Sequence, residues 1–124
     1  MKTKLGVLLI GVTDLQKARS FYENVFGMEI VEFRPPFMQG MLGDVECNIE
    51  ENADYRHPNW AEKNIGGRKS FTIQVDDIHH FLEKVKEFGG KIIEEPVKQE
   101  WGWYDAVIGD LDGNEIVIEQ EIGE

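Results

Sequence analysis

The sequence predicts an α+β protein made of two tandem copies of a strand–helix–strand–strand–strand (βαβββ) module. Its 124 residues, 41% of them hydrophobic, suit one globular domain. A set of landmark residues recurs 63 positions later, and in each copy the hydrophobic periodicity changes from strand-like to helical and back. We expect the first module at about 1–50, a linker at about 51–68 and the second module at about 69–124.

The internal repeat aligns the two halves without a gap. Asp14 recurs as Asp77, Leu15 as Ile78, Gly27 as Gly90, Ile30 as Ile93 and Glu32 as Glu95. Solenoid arrays need at least about three repeats, so two long units indicate a duplicated supersecondary module.

The first module opens with residues 5–10, LGVLLI, which are apolar on both faces as in a central strand. Thr13 followed by Gln16 is a capping-box pattern, which places a helix start there. Gly27 is expected to end the helix in the left-handed conformation. The apolar stripe of this helix consists of Leu15, Ala18, Phe21, Tyr22, Val25 and Phe26.

The second module opens with alternating apolar and polar residues over 70–75, which predict a half-buried strand. Asp76 is expected to cap the following helix, and the pair Gly89-Gly90 to end it. The apolar stripe of the helix consists of Ile78, Phe81, Leu82, Val85 and Phe88.

Three short strands are predicted after each helix. Because proline cannot donate to a strand ladder, Pro35-Pro36 and Pro96 are expected to bound strands. Asp112-Gly113-Asn114 is expected to form the hairpin turn before the last strand. The predicted strands are 29–33, 39–42 and 45–49 in the first module, and 91–94, 104–108 and 115–119 in the second.

Composition excludes several classes of partner. A net charge of −11 argues against nucleic acid and anionic membranes, which both need a basic surface. The single Cys47 cannot form an internal disulfide. The apolar run near the N-terminus is interrupted by Asp14 and is shorter than the about 18 residues of a membrane span. We therefore expect a cytoplasmic protein with no nucleic-acid or membrane partner.

Three segments together resemble the vicinal oxygen chelate superfamily, which includes glyoxalase I, the extradiol dioxygenases and the bleomycin and fosfomycin resistance proteins. They are GVTDLQKARSFYENVFGMEIVE, VDDIHHFLEKVKEFGGKI and DLDGNEIVIE. The resemblance implies that the paired modules form a curled mixed sheet around a cavity, with the helices outside. It also implies a homodimer, because members of the family often build their binding groove from two chains.

Enzymes of this family hold one divalent metal through His, Gln and Glu side chains on the strands. By the resemblance, the opening-strand positions are Val7 and Ser70, and the customary Glu falls at Val117. Valine cannot ligate a metal and serine is a poor ligand, so these positions predict no metal cofactor.

A shifted ligand set is the alternative. Glu119 and Glu115 share a strand face with Val117, and Glu46, Asn48 and Glu50 alternate with apolar residues on another strand. Carboxylates alone would suit one divalent ion such as Mg, Ca or Mn. We favour the interpretation that these side chains lie on the solvated rim of an acidic protein.

The remaining titratable residues give little evidence for a site. His79 and His80 fall on the first turn of a helix, and His57 falls in the linker. Cys47 has no histidine or basic neighbour in sequence to activate it, so we interpret it as an inert strand cysteine.

Aromatic residues in loop-like segments are the stronger evidence for a binding site, although they could equally close the core or a dimer interface. Ser70, Thr72 and Glu119 would supply polar contacts from the strands. Met38 would add an adaptable, polarizable surface. The other predicted ligand-binding residues are Phe37, Trp60, Trp101, Trp103 and Tyr104.

Two functions follow from these observations, and a scaffold or partner-binding module stays open beside them. The first is a metal-free small-molecule binding protein, similar to the bleomycin-resistance branch, which sequesters an aromatic or cationic compound. The second is a metal-dependent lyase, isomerase or dioxygenase with the shifted ligand set. The catalytic residues, the ligand and the question of whether the chain is an enzyme stay open at the level of sequence.

Overall fold

A computed structural model describes residues 1–52 and 71–122. The chain divides into two compact units, Met1–Arg56 and His57–Glu124. The described part of each unit contains one helix and four strands in the predicted βαβββ order, so the predicted α+β architecture is confirmed.

In unit 1, a four-stranded mixed sheet has the strand order β1-β4-β3-β2. The parallel pair is β1 with β4, and the other neighbours are antiparallel. The elements are β1 (Leu8–Val12), α1 (Leu15–Phe26), β2 (Glu29–Arg34), β3 (Phe37–Leu42) and β4 (Val45–Glu51).

In unit 2, the second sheet repeats this topology with the strand order β5-β8-β7-β6. Again the first strand pairs in parallel with the last. The elements are β5 (Thr72–Gln74), α2 (Ile78–Glu87), β6 (Lys91–Lys98), β7 (Trp103–Gly109) and β8 (Glu115–Glu121).

Most of each core lies between the helix and one face of its own sheet. Because side chains alternate between the faces of a strand, every second residue of the central strands is buried against the helix. Two such pairs, Cys47 with Ile49 and Ile116 with Ile118, are fully buried. The helix residues predicted for the apolar stripes supply the other side of the cores, with Phe26 and Phe88 only partly buried.

Both helices begin one residue later than the sequence patterns predicted. Asp14, not Thr13, is the N-cap of α1, and its carboxylate accepts from the Lys17 backbone N–H at 3.0 Å. Asp77, not Asp76, caps α2 in the same way. The capping-box prediction was wrong because the adjacent carboxylate is the residue with extended backbone and an oxygen within reach of the helix N–H.

A second acceptor reaches each helix start from the end of the last strand of the same unit. A Glu51 oxygen accepts from the Leu15 backbone N–H at 2.7 Å, and the Gln120 amide oxygen accepts from the Ile78 N–H at 2.7 Å. Helices leave their first N–H groups without internal partners, so these bonds tie the last strand of each unit to its helix.

The repeat slips by one residue at the end of the helix. Gly27 ends α1 with a φ of 66°, while the left-handed glycine after α2 is Gly89, not Gly90, with a φ of 91°. The Met28 N–H donates to Tyr22 O, six residues back, whereas the Gly90 N–H donates to Val85 O, five residues back. One extra residue in the last turn of α1 accounts for the slip, so the gapless alignment was wrong beyond the helix.

The opening strand of unit 1 lies at the edge of its sheet rather than at the centre. It begins at Leu8, and two of the residues that suggested a central strand are exposed, Leu5 at 77% and Leu9 at 60%. Leu9 faces away from the helix, which explains why this strand has apolar residues on both faces in the sequence.

Proline bounds strands in only one of the two predicted places. Pro35-Pro36 forms the turn between β2 and β3, as expected. Pro96 instead lies within β6, an edge strand whose pairing with β7 shifts register between Glu94 and Val97. An edge position beside an irregular register is where a ladder can accommodate the missing N–H.

The predicted hairpin turn before β8 is present, and a buried carboxylate organises it. Asp110 is only 3% exposed, and it accepts from the backbone N–H groups of Asp112 and Asn114, both at 2.9 Å. The Asn114 side-chain amide donates to the other oxygen of Asp110, also at 2.9 Å.

In the described part of the chain, neither helix is long and apolar enough to cross a membrane.

Candidate functional site

Each sheet has a helix face, which packs on its helix, and a far face on the opposite side. In unit 2 the register assigns the residues unambiguously. Tyr104, Ala106 and Ile108 of β7 point to the helix face, because Tyr104 pairs with Gln120, which contacts α2. The odd-numbered residues of β7 and β8 therefore lie on the far face.

A polar row crosses three strands on the far face of unit 2. Gln74 of β5 pairs with Glu119 of β8, which pairs with Asp105 of β7. The Gln74 side-chain amide donates to a Glu119 oxygen at 3.4 Å. Directly opposite residues have Cβ atoms about 4.5–5.5 Å apart, so two carboxylates lie side by side here.

The next row on the same face includes a position at which the family's enzymes would bind their divalent metal. Thr72 pairs with Val117, which pairs with Val107. By the resemblance, Val117 occupies the place of the customary metal-binding Glu, and a valine side chain has no lone pair to offer a metal. Of the two opening-strand positions, Val7 is also a valine and Ser70 lies outside the described residues. These residues do not fit the divalent ion of the family's enzymes.

No group of three or more His, Cys, Asp and Glu side chains is arranged to hold a metal within residues 1–52 and 71–122. Glu119 and Glu115 share the far face with Val117, as the sequence alternation indicated. Of the possible shifted ligands, Glu119 is the one whose cross-strand neighbour, Asp105, is a second carboxylate.

One tryptophan lies within the turn between β6 and β7, and another begins β7. Trp103 lies on the far face at the start of β7, one row beyond Asp105, and it is partly exposed. Trp101 lies in the turn itself and is 66% exposed. The turn is fixed by the Gln99 N–H, which donates to Trp103 O at 2.7 Å, and by Gly102, whose φ is 87°.

Two of the predicted ligand-binding residues lie on helix faces instead. The Tyr104 ring packs edge-to-face on His79 of α2, with ring centroids 6.2 Å apart. Met38 is 1% exposed and belongs to the core of unit 1. Neither side chain lies on the same sheet face as Trp103 or Glu119.

The far face of unit 1 carries a different set of residues. Glu46, Asn48 and Glu50 of β4 all lie on it, because Cys47 and Ile49 between them are buried against the helix. Phe37, which pairs with Glu50, is on this face and is 54% exposed. The strand pairing thus places these three side chains on one face of their own sheet, opposite the helix.

Cys47 has the environment of a structural thiol. Its side chain is fully buried, and burial raises the pKa of the thiol from 9.0 to about 11. A nucleophilic cysteine needs a lowered pKa, so this thiol is suppressed as a nucleophile.

Three residues singled out in the sequence, Trp60, Ser70 and His57, lie outside the described residues. Thr72, Glu119 and Trp103 lie on the same far face of unit 2, on three neighbouring strands and in three successive rows. Sequence reasoning missed Gln74 and Asp105, whose place beside Glu119 depends on strand register. The alternation of Gln74 with Ile73 was visible in the sequence, but it does not reveal which strands are neighbours.

A fold of two βαβββ units, each with a mixed four-stranded sheet and one packed helix, defines the class of protein. The family profile described as Glyoxalase/Bleomycin resistance protein/Dioxygenase superfamily matches residues 4–118, and the chain belongs to this superfamily.

Two relatives and one solved structure illustrate the range of the similarity. The chain is 26% identical over 121 residues to the uncharacterized protein YetH of Bacillus subtilis (strain 168), covering 97% of this chain and all of YetH. It is 31% identical over 120 residues to a probable lactoylglutathione lyase of Synechocystis sp., covering 90% of this chain and 91% of that protein. A glyoxalase/bleomycin resistance protein/dioxygenase family enzyme from Burkholderia phytofirmans PsJN has a similar fold, with a TM-score of 0.74, 22% identity and coverage of 92% of this chain and 95% of that one.

Proposed function

We propose that this protein binds a small aromatic or cationic compound on the far face of unit 2, without a divalent metal. The observation that carries the proposal is the pair of neighbouring rows on that face: Val117 stands where the family's enzymes use a metal-binding Glu, and Glu119 lies beside Asp105 in the next row. Two adjacent carboxylates attract a cationic group directly.

Trp103 supports the aromatic part of the proposal. Its ring lies on the same face as Glu119 and Asp105, at the start of β7. A planar cation could place its ring on the indole and its charge toward the carboxylates, which combines stacking with cation–π attraction. Thr72 and Gln74 add hydrogen-bonding groups at the other edge of the sheet.

The protein's overall charge favours the same class of ligand. A net charge of −11 produces a negative potential that raises the local concentration of cations. By membership of the superfamily, we extend the proposal to a cytoplasmic homodimer, and light scattering coupled to size-exclusion chromatography tests the association.

A panel of planar cations, titrated while tryptophan fluorescence is recorded, tests the proposal. We expect at least one compound to bind saturably and Glu119→Gln to weaken it about tenfold, since hydrogen bonds to charged groups contribute roughly 1.5–3 kcal/mol. Glu83→Gln is the matched control, because Glu83 is an exposed residue of α2. A flat response across the panel, or equal losses in both variants, would contradict the proposal.

The second candidate function is a divalent-metal enzyme built around Glu119. The adjacency of Glu119 and Asp105 favours it, since paired carboxylates suit Mg, Ca or Mn, and so does the similarity to a probable lactoylglutathione lyase. Metal analysis of the purified protein separates the two candidates, because only the second requires a stoichiometric ion that a chelator removes.

A further inference from the structure

Asn48 carries an unsatisfied hydrogen-bond acceptor on the far face of unit 1. Its side-chain nitrogen donates to a Glu46 oxygen at 2.9 Å. Its Oδ1 is buried, and no donor from residues 1–52 or 71–122 reaches it. Buried polar atoms are satisfied in the great majority of cases, so such an atom calls for a specific explanation.

Reversing the amide does not remove the problem. An amide rotated by 180° would place the Asn48 oxygen against the Glu46 carboxylate, where both atoms are acceptors. The amide nitrogen would then take the buried position with no acceptor. The hydrogen bond to Glu46 therefore fixes the orientation and leaves the carbonyl oxygen without a donor, at a position that an ammonium group reaches only when neighbouring side chains move aside.

The surroundings of Asn48 combine negative charge with exposed apolar surface. Leu9, which is 60% exposed, pairs with Asn48 on one side, and Gln39 pairs with it on the other. Met41 pairs with Glu46 in the neighbouring row of the same face. The acceptor and the carboxylate thus lie between two flexible apolar side chains.

This chemistry selects one type of ligand group. A donor is needed to satisfy Oδ1, and a positive charge is favoured beside Glu46. Apolar carbon is favoured next to Leu9 and Met41. A primary ammonium group on an alkyl chain provides all three, whereas a carboxylate would be repelled and a plain hydrocarbon would leave Oδ1 unsatisfied.

We propose that Asn48 and Glu46 form a subsite for a primary alkylammonium group, in which Asn48 Oδ1 accepts from the ammonium and Glu46 supplies the opposing charge. Leu9 and Met41 contact the alkyl chain. The subsite lies in unit 1 and does not depend on the function proposed for the far face of unit 2. Asn48 is nevertheless the counterpart of Val117 in the strand pairing. Asn48 pairs with Leu9 of the opening strand in unit 1, and Val117 pairs with Thr72 of the opening strand in unit 2.

Nuclear magnetic resonance of the side-chain amide tests the subsite directly. Hexylammonium chloride is titrated into ¹⁵N-labelled protein, and the Asn48 amide signals are identified by their absence from Asn48→Leu. We expect a saturable shift of these signals. Hexyltrimethylammonium has the same charge but no N–H to donate, so we expect it to bind roughly tenfold more weakly.

Variants separate a binding role from a structural one. In Asn48→Leu, hexylammonium binding should fall about tenfold or more, while the thermal midpoint should stay unchanged or rise, because an unsatisfied buried acceptor has been removed. Glu46→Gln keeps the shape of the side chain and should weaken binding through loss of charge. Asn24→Ala, on the exposed surface of α1, should leave hexylammonium binding unchanged.

Three results would overturn the proposal: no saturable shift with hexylammonium, equal binding of the quaternary compound, or a lower thermal midpoint in Asn48→Leu with binding unchanged. Displacement of hexylammonium from Asn48 by stoichiometric Mg²⁺ would also overturn it, in favour of a metal site. The planar-cation titration reports on Trp103 separately, so failure of one proposal is distinguishable from failure of the other.

Discussion

At the scale of single residues, alternation along a strand separates side chains that stabilise a unit from side chains free to contact a ligand. Trp103 and Tyr104 are adjacent in the sequence, yet one lies on the far face and the other packs on His79 of the helix. The same alternation places Met38 in the core and exposes Phe37. Sequence alone grouped these four residues because it identified aromatic and flexible side chains near loops without the register that divides them.

The first prediction separates the core from the proposed ligand surface. Phe81→Ala should lower the free energy of unfolding by about 3–5 kcal/mol, because it opens a cavity beneath the helix. Trp103→Ala should weaken planar-cation binding about tenfold or more while costing less stability than Phe81→Ala. Urea denaturation and fluorescence titration measure the two effects. Equal losses of stability would show that Trp103 serves packing.

The second prediction concerns Cys47. Because burial raises the pKa of its thiol to about 11, the folded state holds the proton more tightly than the unfolded state. This contribution to stability is fully present below pH 9.0 and is lost as pH rises through about 11. Cys47→Val lacks the titrating group, so its stability should fall less over the same interval. Parallel curves of unfolding free energy against pH would contradict the assignment.

At the scale of elements, the order of helices and strands could be predicted almost completely, because periodicity and glycine positions are local signals. The ends of the elements could not. Which of two neighbouring residues caps a helix depends on backbone conformation, as Asp14 beside Thr13 shows. Pro96 within β6 shows that an edge strand tolerates a residue that a central strand would exclude.

The third prediction tests the helix starts. Asp77→Ala should lower stability by about 1 kcal/mol, because the N-cap carboxylate would no longer accept from the His80 N–H. Asp76→Ala is the matched control and should have little effect, since its neighbour is the cap. Chemical denaturation of the two variants measures the difference. Loss of stability in Asp76→Ala alone would restore the cap predicted from the sequence.

The fourth prediction tests the tie between strand and helix in unit 1. Glu51→Ala should destabilise the protein by about 1 kcal/mol, because the Leu15 N–H loses its acceptor at the positive end of the helix dipole. Glu51→Gln can still accept this hydrogen bond, as Gln120 does in unit 2, and should retain most of the stability. Equal destabilisation by both substitutions would indicate that charge rather than the hydrogen bond is responsible.

At the scale of the whole molecule, the two units have equivalent far faces that carry different residues. Register makes Asn48 the counterpart of Val117, and one of these positions is polar while the other is apolar. The sequence predicted the duplication and the loss of the family's customary Glu. It could not predict the row of Gln74, Glu119 and Asp105, because the row joins strands that are far apart along the chain.

The net charge adds a fifth prediction. An acidic protein attracts cations through a potential that salt screens, with a Debye length of about 10 Å at 0.1 M. Binding of a planar cation should therefore weaken as sodium chloride is raised, while an uncharged compound of similar shape should be nearly insensitive. Isothermal titration at several salt concentrations measures this. Equal salt dependence for both compounds would argue against charge recognition.

The most direct test of the central claim compares planar-cation binding in chelator-treated protein and in the same protein with excess Mn²⁺, with metal content measured in parallel. The claim is that the far face of unit 2 holds its ligand with side chains alone. We expect the same dissociation constant in both samples and no stoichiometric ion in the purified protein. Binding that appears only when the metal is restored would contradict the claim.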